Sequence, residues 1–115
     1  MSKQSISLMT LSIAAVGAIV ANRFVTPARD QAVADENTLG VATTAAADGE
    51  VLAVDAMGTT IVEAGAAVAA GATLKVDANG KAITWVTSGA KVAVALDAAS
   101  ADGDLIEVLL IPNAA

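Results

Sequence analysis

"EAGAAVAAGATLKVDANGKAITWV", residues 63–86, carries almost none of the side chains that ordinarily do chemistry, yet its reading decides the fold. Its alanines invite a helix. Gly65 and Gly71 bracket only a short segment, however, and a glycine inside a helix costs about 1 kcal/mol relative to alanine. A helix that short is marginal in water. The second half alternates, "TLKV" before Asn79-Gly80 and "AITWV" after it. Asn-Gly between two such runs is the strongest short hairpin signal, because both central residues tolerate positive φ. The stretch therefore reads as a turn, a brief apolar crossing and a β-hairpin. In that hairpin Ile83, Trp85 and Thr87 share one face, with Trp85 as a plug in a core or an interface.

Outward from the hairpin, Gly40, Gly49, Gly58, Gly89 and Gly103 punctuate the chain. Short Val/Ile/Leu-rich pieces lie between them: "GVAT", "EVLAVDA", "TTIVEA", "KVAVAL" and "DLIEVLLI". Many short strands with regular turn signals predict an all-β fold, a small sandwich or barrel-like domain with tight glycine turns. "GVATTAAADGEVLAV" (40–54) and "VALDAASADGDLIEV" (94–108) align without a gap, each running strand, Ala-rich turn, Asp-Gly, strand. The echo is either pseudo-symmetry within one domain or convergence of two Ala-rich hairpins.

The N-terminus, "MSKQSISLMTLSIAAVGAIVANRFVTP" (1–27), admits three readings. Lys3, the apolar run from Ile6 to Val20 and the small Ala18 and Ala21 outline a secretory signal. The stretch up to Asn22 is also only just long enough for a membrane helix, with four Ser/Thr inside it. Against both, Ile6 and Leu8 alternate with Ser5 and Ser7, and Leu11 and Ile13 alternate with Thr10 and Ser12, one step out of phase. Period-2 alternation with a slip at Met9–Thr10 reads as a strand with a bulge, and this reading is preferred. An extended N-terminal strand or arm (1–27) then precedes one compact β domain (28–115), with "RFVTP" a short strand closed by Pro27 and "ARDQAVADENT" (28–38) a polar loop.

Composition narrows the function. The 115 residues carry a net charge of −6, a hydrophobic fraction of 56% and only 2% aromatics, Phe24 and Trp85. Alanine, about a quarter of the chain, inflates the hydropathy without implying deep burial. Large aromatics dominate core energetics, so a core nearly without them is thin and gains from subunit contacts. The scattered cations form no stripe for phosphates, which argues against nucleic acid. There is no Cys and no His, hence no thiolate, no disulfide and no imidazole base or ligand. "DANGK" (77–81) puts Lys81 where a calcium loop wants an oxygen. Asp102 and Asp104 belong to an exposed Asp-Gly turn. "GAAVAAGAT" lacks the Lys-Ser/Thr of a phosphate loop. Lys81 invites comparison with the modified lysine of biotinyl and lipoyl carriers, but follows Asn-Gly without their acidic or Met flanks. No catalytic, cofactor-binding or metal site is expected, and no enzyme activity or small-molecule substrate.

"NRFVTP", "TLGVATTAAADGEVLAV", "EAGAAVAAGATLKVDANGKAI" and "VAVALDAASADGDLIEVLLI", in that order, resemble the small capsid decoration or cement proteins of tailed bacteriophages, over about residues 5–111. The resemblance implies a β-rich virion protein on the outer surface of the capsid, present in the host cytoplasm before assembly. It implies partnership with the major capsid protein of a phage head and with itself, commonly as a homotrimer, to lock capsomers together. Ile6, Leu8, Leu11 and Ile13 are then the expected assembly contacts, and replacing Leu8 and Leu11 with Ser is expected to abolish particle binding. The alternatives are an exported acidic β-rich surface protein with its N-terminal signal removed, and a carrier built on the 75–83 hairpin.

Overall fold

The computed structural model describes residues 5–113; Lys3 of the signal outline lies outside them. Eight strands form one sheet: β1 (Ser7–Ala14), β2 (Phe24–Val25), β3 (Gly40–Ala42), β4 (Val51–Glu63), β5 (Thr73–Val76), β6 (Ala82–Thr84), β7 (Ala93–Ala95) and β8 (Leu105–Leu110). The order is β2-β3-β4-β8-β7-β5-β6, with β1 also paired to β4. The strand pairs are antiparallel. A parallel bridge between Ala64 and Ala82, with the Gly65 N–H donating to the Ala82 carbonyl at 2.8 Å, brings the end of β4 to β6. The sheet thereby nearly closes as a barrel, and no helix occurs among the described residues. The expected all-β, barrel-like class is what the chain adopts.

Alternation in "SISLMTLSI" becomes β1, and its slip becomes a bulge. Ser7 pairs Gly58, Met9 pairs Met57 and Thr10 pairs Asp55, with register shifts on both sides of Met9. Beyond the bulge Leu11, Ile13 and Ala15 turn inward, while Thr10, Ser12 and Ala14 stay exposed. Among the described residues no helix is long and apolar enough to cross a membrane.

Three expectations are corrected. Gly58 does not separate two strands, because β4 runs through it for 13 residues. Its φ of +97° lets the backbone bend without leaving the sheet, and a Cβ there would lie 2.2 Å from the Ile6 carbonyl oxygen. The Asn79-Gly80 turn is not a two-residue hairpin: Val76 pairs Ala82, leaving Asp77–Lys81 as the loop. Only Gly80 takes positive φ, +79°, and Asp77 Oδ1 holds the loop by accepting the Asn79 and Lys81 N–H groups at 2.8 and 2.9 Å. Trp85 lies past the end of β6, half-buried; its Nε1 donates to the Gly89 carbonyl at 2.9 Å and Lys91 Nζ sits 4.4 Å from its ring centroid.

Two apolar clusters fill the interior. The larger holds Phe24, Val41, Val62, Leu74, Val92, Ile106 and Val108 with small residues between. The smaller holds Ile13, Ala15, Ile19, Val25, Ala42, Ala46, Leu52 and Val54. Residues of the expected N-terminal arm thus sit in both clusters.

The clusters are related, because the chain uses one hydrogen-bond scheme twice. Ile19 and Ala46 exchange N–H···O bonds (2.8 and 3.0 Å), Gly49 donates to Ala15 and Ala15 to Glu50 (both 2.8 Å). In the second half Val68 and Ala99 exchange bonds (both 2.9 Å), Gly103 donates to Ala64 and Ala64 to Asp104 (both 2.8 Å). Strand pairing repeats with them: Ile13–Leu52 corresponds to Val62–Ile106, Val41–Asp55 to Val94–Leu109, and Phe24–Val41 to Thr73–Val94. The last half of β4 therefore does in the second unit what β1 does in the first. Of the two readings of the 40–54/94–108 echo, pseudo-symmetry is the one realised, with one extra residue in the second loop.

Candidate assembly surface

β1 is built to present its first residues rigidly. Asp55, 5% exposed, accepts hydrogen bonds from Ser5 Oγ at 3.3 Å, Thr10 Oγ1 at 3.1 Å and Thr60 Oγ1 at 2.9 Å. A buried carboxylate needs such donors to offset lost hydration. The Ser5 and Thr10 hydroxyls fasten the start of β1 to the middle of β4, and Thr60, on β4 itself, completes the set of donors. The Ile6 carbonyl also accepts the Thr59 N–H at 2.9 Å, and the Ile6 N–H donates to Thr59 Oγ1 at 2.8 Å. Beside Asp55 a shallow cleft of about 170 Å³ is lined by Ser5, Asn22, Thr43, Thr60 and Ile61.

The fastened segment displays apolar side chains to solvent. Ile6 is 55% exposed and Leu8 76%; Met9 and its strand partner Met57 are exposed too, at 41% and 45%. Leu8 lies over Gly58, whose missing Cβ leaves the room. Of the four expected contact residues, the structure groups Ile6 and Leu8 on this surface. Leu11 is half-buried and packs on the smaller cluster. Ile13 is 8% exposed and belongs to the chain's own core, because the bulge turns it inward, so it leaves the contact set. Sequence reading missed Met9 and Met57; the signal was the slip itself, since a bulge bends the strand and re-aims its side chains. β1 also pairs only with β4, and an edge strand is a ready template for another chain.

A charged cluster gathers where the end of β4 meets the turn before β6. Lys81 Nζ lies 2.9 Å from Asp102 Oδ1 and 3.4 Å from Glu63 Oε2, and Arg23 Nε lies 3.2 Å from Glu63 Oε1. The Lys81 side chain is only 14% exposed, which is a poor display for a carrier lysine. The hydrogen bond to Asp102 is the main cause that raises the Lys81 pKa above the ordinary lysine value; desolvation opposes it and Glu63 adds to it. With the folded pKa raised, the stabilisation is fully present below the unfolded lysine pKa and is lost as pH climbs through the folded value. The thermal midpoint of the wild type is expected to fall more steeply above about pH 10.5 than that of Lys81→Met, in melts recorded from pH 8 to 12. Equal slopes would remove the cluster from the balance. Among the described residues no group of three or more His, Cys, Asp or Glu is placed to hold a metal ion.

The chain thus presents a β scaffold with an apolar, bulged edge. The chain belongs to the phage cement protein family, whose model matches residues 3–110. Its fold is similar to that of the head fiber gp8.5 N base in bacteriophage phi29, with a TM-score of 0.72 and 17% sequence identity, over 90% of this chain and 95% of that one. No curated protein matches it.

Proposed function

We propose that the chain is a structural protein of a phage head that binds the outside of the capsid as a homotrimer and stabilises contacts between capsomers. Membership of the cement family supports the head-associated role. The observation that carries the contact itself is the exposed apolar end of β1, held in place by Asp55. Burying a large aliphatic side chain contributes about 1.5–3 kcal/mol, and contacts repeated over many lattice sites let each be modest. A net charge of −6 favours the solubility of the protein before assembly.

The structure changes the variant that tests this. Leu11→Ser would injure the chain's own core, so Ile6→Ser/Leu8→Ser is the cleaner choice. It is expected to fold like wild type and to lose at least ~100-fold in per-site affinity, taking about 1.4 kcal/mol per tenfold. Co-sedimentation with heads purified without the protein reads this directly. Wild-type occupancy by the double variant would sink the proposal.

The exported reading fares worse on physical grounds. Cleavage near Ala18 or Ala21 would remove β1 and Ala15 from the smaller cluster and strip Leu52 and Val54 of their cover.

A further inference from the structure

The outer face of the barrel carries an acid with nothing to meet it. Antiparallel pairing places Glu107 of β8 across from Ile61 of β4. On its other side the Leu96 N–H donates to the Glu107 carbonyl at 2.9 Å, which continues the β7–β8 register. Along β8 the same face presents Leu105 and Leu109. These leucines are open to solvent, Leu96 at 38% and Leu105 and Leu109 at 42% each, while Glu107 between them is 9% exposed. No described residue donates a hydrogen bond to its carboxylate or pairs with it. Asp97, another acid, accepts the Glu107 N–H at 3.2 Å, and across from Leu105 on this face stands Glu63, already held by Arg23 and Lys81.

Anything that covers these leucines also desolvates Glu107, which costs several kcal/mol unless a cation arrives with the cover. Such a cation is present elsewhere on the same chain. Among the described residues Lys75 pairs Asp35, Arg23 and Lys81 share Glu63, and Lys91 stands over Trp85. Arg29 has none of these. Its side chain is exposed on a left-handed backbone with φ of +74°, pinned by its N–H to the Thr26 carbonyl and by the Val16 N–H to its own carbonyl, both at 2.9 Å. Around it Val16 is 56% exposed, and Pro27 and Ala28 are exposed too. An exposed arginine on a pinned backbone, beside Val16, Pro27 and Ala28, complements a carboxylate flanked by leucines.

We infer that the Glu107 face is the docking site for a second copy of this chain, which inserts Arg29 between Leu96, Leu105 and Leu109 to pair with Glu107. The contact is head-to-tail, since the two patches differ, and such contacts close into rings when the rotation permits. The inference rests on the reading of the chain as self-associating, and it assigns the capsid to the other surface, the end of β1.

The test is a charge swap followed by sedimentation equilibrium. Arg29→Glu and Glu107→Lys are each expected to weaken self-association at least ~10-fold, and the double variant to return it to within about 3-fold of wild type. Single variants that associate like wild type, or a double variant that stays dissociated, overturn the pairing. So does a wild type that remains monomeric at 100 µM. Should a variant fail to fold by circular dichroism, single Arg29→Cys and Glu107→Cys proteins replace it, in a chain with no native cysteine. Mixed and oxidised, they must form the mixed disulfide faster than either like pair; equal rates count against the contact. Head co-sedimentation of the Glu107→Lys variant keeps the two proposals apart. Lost association with retained head binding is expected if both hold. Lost head binding by Glu107→Lys, together with a wild type that never self-associates, makes the capsid the occupant and overturns the inference.

Discussion

Phe24→Ala is expected to cost about 3–5 kcal/mol, the range for emptying an aromatic site in a core. Phe24 is the largest of the fully buried side chains. Its N–H donates to the Gly80 carbonyl and its carbonyl accepts the Ala32 N–H, both at 2.9 Å, so the backbone that carries the ring is held from both sides. It stands opposite Val41 and carries the first half of the sheet into the larger cluster. Its neighbours are mostly Val and Ala, too short to collapse into the void. Small domains hold only about 5–15 kcal/mol in total, so the thermal midpoint should drop by roughly 10–20 °C. Val51→Ala, at an exposed position of β4, should stay within about 0.5 kcal/mol. Urea titration of both proteins checks the contrast. A Phe24→Ala loss under about 1 kcal/mol would mean that the larger cluster does not depend on its one aromatic.

The second large effect is at Gly58. A methyl group there meets the Ile6 carbonyl oxygen at 2.2 Å and the Leu8 nitrogen at 2.9 Å, on a backbone with φ of +97°. The left-handed conformation alone costs an alanine about 1–2 kcal/mol, and relief of the clash requires the start of β1 to lift. Gly58→Ala is therefore expected to lose about 2–4 kcal/mol of stability. It should also free the first residues of β1, read as faster hydrogen exchange at Met9 and Thr10, and weaken head binding although no contact side chain has changed. Unaltered exchange at β1 would show that this segment is not held by its approach to Gly58.

Much of this was open to reading in the sequence, for physical reasons. A period-2 pattern maps one-to-one onto the two faces of a strand, so a single slip at Met9–Thr10 located a bulge. Turn residues located the ends of β3, β5 and β8. What failed were inferences needing a third dimension. Gly58 reads as a breaker, but only its approach to Ile6 shows why a strand passes through it. Ile13 and Leu8 look equivalent along the chain, and the bulge sends one into the core and leaves the other in solvent. The Asn79-Gly80 pair marked the hairpin correctly, yet Asp77 holds it. The "LIEVLL" alternation places Leu105, Glu107 and Leu109 on one face, but Arg29, far away in sequence, gives that face its interest only once the folded charges are paired off.

Because β4 serves both halves of the repeat, neither half owns a complete sheet. Cutting the chain near Gly58 would take the inner strand from one unit and the outer strand from the other. A duplication fused through a common strand is thus indivisible: the two apolar clusters must form and melt together, and a disturbance at one end of β4 is carried along a single covalent ladder to the other. The shared strand welds two small, weak cores into one cooperative unit.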